Sequence, residues 1–171
     1  MNSRTLIAAL IALALGLGLA AGAWYELRQR PPTFCEISGR PIYANMLTRI
    51  KVDGERLYAC CARCGLTLAA QTGQRVEILQ VTDYVSGRRL PAQQAYFVEG
   101  SQVEVCSTPR LKVDQTRTPY VRLFDRCSPS LLAFAGEADA RDFVRHYGGR
   151  LKRLNELMQE AAAGRPPGRQ E

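Results

Sequence analysis

Four of the six cysteines, Cys35, Cys60, Cys61 and Cys64, are spaced like ligands for a thiophilic metal ion. The run from Tyr58 to Cys64 sets three sulfurs within five positions, and Cys35 arrives from upstream. Thiolate sulfur is soft and polarizable, so such a set selects Cu(I) or Zn(II) over magnesium or calcium. On extended backbone Cys60 and Cys61 point apart, so one of the two is expected to join Cys35 and Cys64 in a single site. Met46 is a further soft donor just ahead of the first strand, in a position where methionine also serves as core filler. The same thiols suit two other states: a closed four-thiolate zinc site, or disulfides, the usual fate of cysteine outside the cytoplasm. Cys106 and Cys127 could pair with each other.

Other chemistry finds little support. His146 is the single histidine, near an expected helix end where capping is its ordinary use. No nucleophile, base and orienter set is visible and no glycine-rich phosphate loop occurs, so the chain is not expected to be an enzyme. A thiol oxidoreductase would have only the Cys61-x-x-Cys64 pair, which lacks a βαβ setting. The formal charge is +7. Its arginines are scattered singly among acidic residues without interleaved aromatics, which argues against nucleic acid and leaves anionic lipid headgroups as the natural counterpart. Arg40, Arg63 and Arg126 lie beside the sulfurs in sequence; a solvated face is their common role, and thiolate stabilisation the sharper one.

The elements that must position the cysteines follow from pattern. Met46 to Ala59 reads as a hairpin about the Asp53-Gly54 turn signal. Leu66, Leu68, Ala69 and Ala70 suggest a short helix stopping near Gly73. The sulfurs then sit at a strand-to-helix joint, where helix N–H groups favour thiolate. Val76 to Val85 is expected as a strand before the Ser86-Gly87 turn, Ala95 to Glu99 as another ended by Gly100, and Gln102 to Cys106 as an extension of the sheet. Leu111 to Pro119 reads as a polar loop and Tyr120 to Phe124 as a strand. Ala138, Phe143, Val144 and Tyr147 mark an amphipathic helix ending at Gly148-Gly149, and Leu151 to Met158 a short strand or turn and a last helix. Strand, strand, helix, twice, is an α+β plan. Asp83 and Tyr84 are expected to serve the sheet and its turn.

Leu6 to Ala23 is unbroken apolar residues and glycine, about the length a bilayer core requires, followed by Trp24, Tyr25, Arg28 and Arg30. An uncleaved single-pass anchor is expected, although Ala21-Gly22-Ala23 also resembles a signal cleavage site. The expected division is an anchor over 1–27, a proline-stiffened linker over 28–34, a domain over 35–160 in two modules (about 35–75 and 76–160), and a disordered tail over 161–171. Such an anchor places the domain on the periplasmic side of a bacterial inner membrane.

From Val81 onward the chain resembles a known family. Val81-Thr82-Asp83-Tyr84-Val85-Ser86-Gly87, then Ala92 and Ala95-Tyr96-Phe97-Val98-Glu99-Gly100-Ser101, are similar to the NosL family, membrane-tethered copper-binding accessory proteins of nitrous oxide reductase maturation. Ala138, Asp142-Phe143, His146-Tyr147-Gly148-Gly149 and Leu154-Asn155-Glu156-Leu157 continue the resemblance. It implies two ββα modules, as in organomercurial lyases, and a metallochaperone that delivers Cu(I) to a recipient metalloenzyme or assembly-complex protein. The alternative is a disulfide- or zinc-stabilised scaffold module. The chain departs from the family at the Cys-x-x-Cys-Gly-Met stretch, which here is Cys35-Glu36-Ile37-Ser38-Gly39-Arg40. Counting back from Phe134 sets Cys127 where the family has the methionine of a Pro-Met-Gly segment, which makes Cys127 a candidate ligand by resemblance. Cys60-Cys61-x-x-Cys64 after Tyr58 looks like the aromatic-Cys-Cys-x-x-Cys of heavy-metal sensing and trafficking modules.

Overall fold

The computed structural model describes residues 3–29, 31–106, 111–113, 115–121 and 125–163, with side chains over 10–25, 31–106, 115–119 and 125–163. Two compact units divide at Pro32 and Thr33. The first holds helix α1 (Ser3–Gln29), whose leucines between 10 and 19 are exposed. Among the described residues no helix is long and apolar enough to cross a membrane, so the anchor expected over 1–27 has no support there.

The second unit is mixed helix and sheet. Strands β1 (Thr48–Val52) and β2 (Glu55–Ala59) form the expected hairpin, with Val52 opposite Glu55. Asp53 and Gly54 both have positive φ, 47° and 101°, the backbone that a two-residue turn needs to match strand twist. Strand β1 alternates, with Thr48, Ile50 and Val52 buried. Helix α2 (Ala62–Thr72) begins at once and stops at Gly73, whose φ of 72° supplies a left-handed cap. Strand β3 (Val76–Thr82) returns antiparallel to β1, and β4 (Arg89–Pro91) pairs with β3, giving the order β2-β1-β3-β4. The sheets therefore do not follow the expected division at 75/76, because β3 and β4 complete the sheet of the first hairpin.

A second sheet has β5 (Tyr96–Glu99) at its centre, flanked by β8 (Leu131–Phe134) and β9 (Arg150–Lys152). Between β5 and β8 lies a separate hairpin of β6 (Leu111–Val113) and β7 (Pro119–Val121). The polar loop expected over 111–119 is thus corrected to two paired strands, and 122–124 of the expected strand lie outside the described residues. Gln102 to Cys106 forms no strand: the chain leaves β5 through Gly100, and Gln102 N–H donates to the Tyr147 carbonyl instead of to a neighbouring strand.

Helix α3 (Glu137–Tyr147) covers this sheet with Phe143. Phe143 meets Phe134 at 5.1 Å and Tyr84 at 5.6 Å between ring centroids, distances at which aromatic pairs attract. Asp83, 4% exposed, accepts from the N–H groups of Ser86 and Ala135 and so ties the turn after β3 to the end of β8. Burial works to raise its pKa, but the hydroxyl of Ser86 together with those N–H groups wins and holds it below the ordinary value. Both Asp83 and Tyr84 serve the scaffold, as expected. Helix α4 (Leu154–Ala162) closes the fold two residues into the expected tail, of which 164–171 lie outside the described residues.

Candidate metal centre

Four separate segments converge to build the site. Cys35 opens a tight loop in which its N–H donates to the Arg40 carbonyl at 2.8 Å and Gly39 N–H returns to the Cys35 carbonyl at 2.8 Å. The positive φ of Gly39, 68°, allows the reversal. The loop is fastened to β2, the edge strand of its sheet: Glu36 N–H donates to the Tyr58 carbonyl, and Tyr58 N–H donates to the Glu36 carboxylate. Two residues beyond Tyr58 stands Cys60, so the clamp that holds the loop also sets Cys35 beside Cys60. Cys61 is the extended N-cap of α2, and Cys64 lies in that helix's first turn.

The sulfurs of Cys35, Cys60 and Cys64 all lie within 4.8 Å of one another, and all three residues are buried. Cys35 and Cys64 are 3.8 Å apart, and Cys60 is 3.5 Å from Cys127. A tetrahedral ion with sulfurs at about 2.3 Å spaces them about 3.8 Å apart, whereas a disulfide closes to about 2.05 Å. The spacing matches ligands around one ion, and all six cysteines are free. Cys60 rather than Cys61 stands with Cys35 and Cys64. Cys61 belongs instead to a second group, with Cys60 and Cys106, whose sulfurs also lie within 4.8 Å. Met46 lines a small cavity with Cys61, Cys106 and Cys127. His146 is in neither group: on the exposed face of α3, its Nδ1 is 2.9 Å from the Asp142 carbonyl oxygen.

Ser38 and Arg40, which occupy positions where the resemblance leads one to look for sulfur, support the cluster indirectly. Ser38 N–H donates to Cys35 Sγ at 3.4 Å, and its hydroxyl lies 3.6 Å from Cys60 Sγ. Arg40 makes a bidentate pair with Asp125, at 2.7 and 2.8 Å, and donates to the Cys106 carbonyl at 2.8 Å. Asp125 in turn accepts from Cys127 N–H at 2.8 Å. One guanidinium thus stitches together the three segments that carry Cys35, Cys106 and Cys127. The Asp125 hydrogen bond leads the causes that raise the Arg40 pKa, with the nearby Cys127 adding to it, so the guanidinium is a permanent cation. Arg40→Ala should cost about 2 kcal/mol, the range of a charge-assisted hydrogen bond lost at a partly exposed site. Urea unfolding of the apoprotein reads that loss.

Arg63 does not form a solvated face. At 4% exposure it is buried, donating to the Pro129 carbonyl and paired with Glu99.

Electrostatics within the cluster are uneven. Hydrogen bonding from Cys106, then Cys127, Cys35 and Cys61, lowers the pKa of Cys60 and outweighs burial. The Cys61 thiol is pushed up, chiefly by Cys106 and Cys127, the Cys64 thiol by Cys127 and Cys35, and the Cys106 thiol by Cys60. Cys60 is therefore the thiol whose ionised form its neighbours favour. A free-standing set of thiolates would repel one another, and a soft cation resolves that conflict.

Fold and site together define an α+β domain with a buried, all-sulfur cluster that could hold a metal. No family model matches the chain, and no curated protein matches it. Among solved structures it is similar to the copper chaperone NosL from Shewanella denitrificans, with 17% identity and a TM-score of 0.49, over 77% of this chain and 95% of that one. The site's chemistry stands on its own residues. Sequence reasoning missed Cys106 as a member of the cluster. Its only signal was being a sixth thiol with no local partner.

Proposed function

We propose that this chain binds Cu(I) and passes it on, as a metallochaperone rather than an enzyme. The convergence of buried, unpaired Cys35, Cys60 and Cys64 within 4.8 Å carries the reading. Three thiolates suit a soft monovalent ion that tolerates low coordination, and a low ligand number keeps transfer facile, since a recipient's donor replaces one sulfur at a time. Cys127, Cys61 and Met46 are the donors that complete or exchange. The apolar segment Leu6 to Ala23 would anchor the domain as a single pass at a bacterial inner membrane, facing the periplasm. The recipient would be a metalloenzyme or a protein of its assembly complex. The resemblance of 81–101 and 138–157 to NosL proteins supports the same reading.

One observation favours a second reading. The cluster is sealed, and Cys127 offers a fourth sulfur to Cys35, Cys60 and Cys64, the composition of a structural zinc site in a scaffold module. Cys64→Ser separates the two in the reduced full chain handled without oxygen. For a chaperone, Cu(I) affinity should fall by at least about 100-fold, the upper end of what losing a mere ligand-supporting contact costs, with the circular dichroism of the apoprotein unchanged. Zinc co-purifying with the wild type, together with unfolding on Cys64→Ser, would overturn the proposal.

A further inference from the structure

Resting on that reading, we infer that the cluster holds two Cu(I) ions rather than one, bridged by Cys60. Two groups of sulfurs share this residue: Cys35, Cys60 and Cys64 on one side, and Cys60, Cys61 and Cys106 on the other. Cys127 lies against the shared atom, 3.5 Å from Cys60 Sγ. With Met46 the neighbourhood gathers seven sulfurs, and one ion takes at most about four. A single ion on the first triad would leave Cys61, Cys106 and Met46 facing a cavity with no ligand to hold. Thiolate sulfur has lone pairs enough to bridge two ions, and Cys60 is the sulfur common to both groups.

The local geometry keeps the two halves distinct. Cys60 ends the hairpin and Cys61 caps α2, and Cys60 reaches both triads while Cys61 reaches only the second. Cys106 closes the second triad from another segment, with its Sγ 3.0 Å from the Cys60 carbonyl oxygen and its own carbonyl held by Arg40. All six cysteines are buried, and Cys106, at 8% exposure against 0% for Cys60 and Cys64, sets the second triad nearer the surface. Loading is simple exchange: each copper–sulfur bond that forms from a protonated thiol releases that proton to solvent, and neither copper nor sulfur changes oxidation state.

Cu(I) titration of the reduced full chain against a colorimetric Cu(I) chelator tests this, with copper-edge X-ray absorption on the loaded protein. The wild type should saturate at two ions per chain and show copper–copper scattering. Cys106→Ser and Cys61→Ser should each saturate at one ion and lose that scattering, and so should Cys35→Ser, from the opposite side. Circular dichroism checks that each variant is folded, and Cys61→Ser substitutes for Cys106→Ser if the latter is not. Saturation of the wild type at one ion, or a second ion indifferent to Cys61 and Cys106, overturns the inference and leaves the single-ion chaperone standing. Absence of any Cu(I) uptake overturns both.

Discussion

Replacing Cys60 by serine should remove Cu(I) binding altogether, the largest effect of any single change in the molecule. Cys35 and Cys64 belong to one side of the cluster and Cys61 and Cys106 to the other, whereas Cys60 belongs to both triads and also touches Cys127. Serine keeps nearly the same volume, and its oxygen is a hard, weakly acidic donor that a soft ion rejects. The fold should survive. Ser38, whose hydroxyl lies 3.6 Å from the present sulfur, offers a hydrogen-bond partner, so the buried hydroxyl is not left orphaned and the loss should stay at about 1 kcal/mol. Isothermal urea unfolding and Cu(I) titration on one preparation separate these outcomes. Copper binding within tenfold of wild type would mean that the ion sits elsewhere, and the convergence of sulfurs at the first hairpin would lose its meaning.

That convergence was half legible in the chain. The hairpin about Asp53-Gly54, the helix stops at Gly73 and Gly148, and the position of Cys60, Cys61 and Cys64 at a strand-to-helix joint all follow from local rules, and each is found. Cys35 could be expected nearby, but not the means, since the Glu36–Tyr58 clamp is set by an edge strand that only tertiary pairing defines. Strand β8 carried no readable signal. Leu131 to Phe134 are all buried, and four consecutive apolar residues show no alternation to distinguish strand from helix. The 106 segment misled for the opposite reason: its alternating Val103 and Val105 resemble a strand, yet the chain is diverted by Gly100 and delivers Cys106 to a partner 46 positions away. Cys127 came only by counting along a resemblance, because nothing in Arg126-Cys127-Ser128 advertises that Asp125 will hold its backbone. Arg63 was the plainest reversal. An arginine between cysteines suggests solvent or thiolate, and its actual partner is a carboxylate on the other sheet.

That partner, Glu99, is the site of the second large effect. At 1% exposure its carboxylate receives Arg63 from α2, Arg150 at 3.1 Å and Lys152 at 2.6 Å from β9, while Lys152 also reaches Glu160 of α4 at 2.6 Å. Burial alone would raise the pKa of Glu99, but the Lys152 and Arg63 contacts outweigh it and hold the acid below its usual 4.5. Glu99→Gln keeps the shape, strands buried Arg63 without a counter-charge and leaves Lys152 to Glu160 alone, so it should cost about 3–5 kcal/mol, a fall in Tm of roughly 6–20 °C for a domain of this size. The pH dependence has a definite sign. A depressed carboxylate contributes stability that is fully present above the unfolded value of 4.5 and is lost as pH drops through the lower folded value. Wild type and variant should therefore differ most near neutrality and converge in acid, read by urea midpoints between pH 3 and 7. The consequence reaches the sulfurs. Arg63 lies in the first turn of α2 next to Cys64, so Glu99 fixes the helix start on which one triad depends. Glu99→Gln should weaken Cu(I) binding about tenfold as a supporting contact does, while leaving the stoichiometry as in the wild type; an unchanged Tm together with unchanged affinity would show that the buried carboxylate is not what positions Cys64.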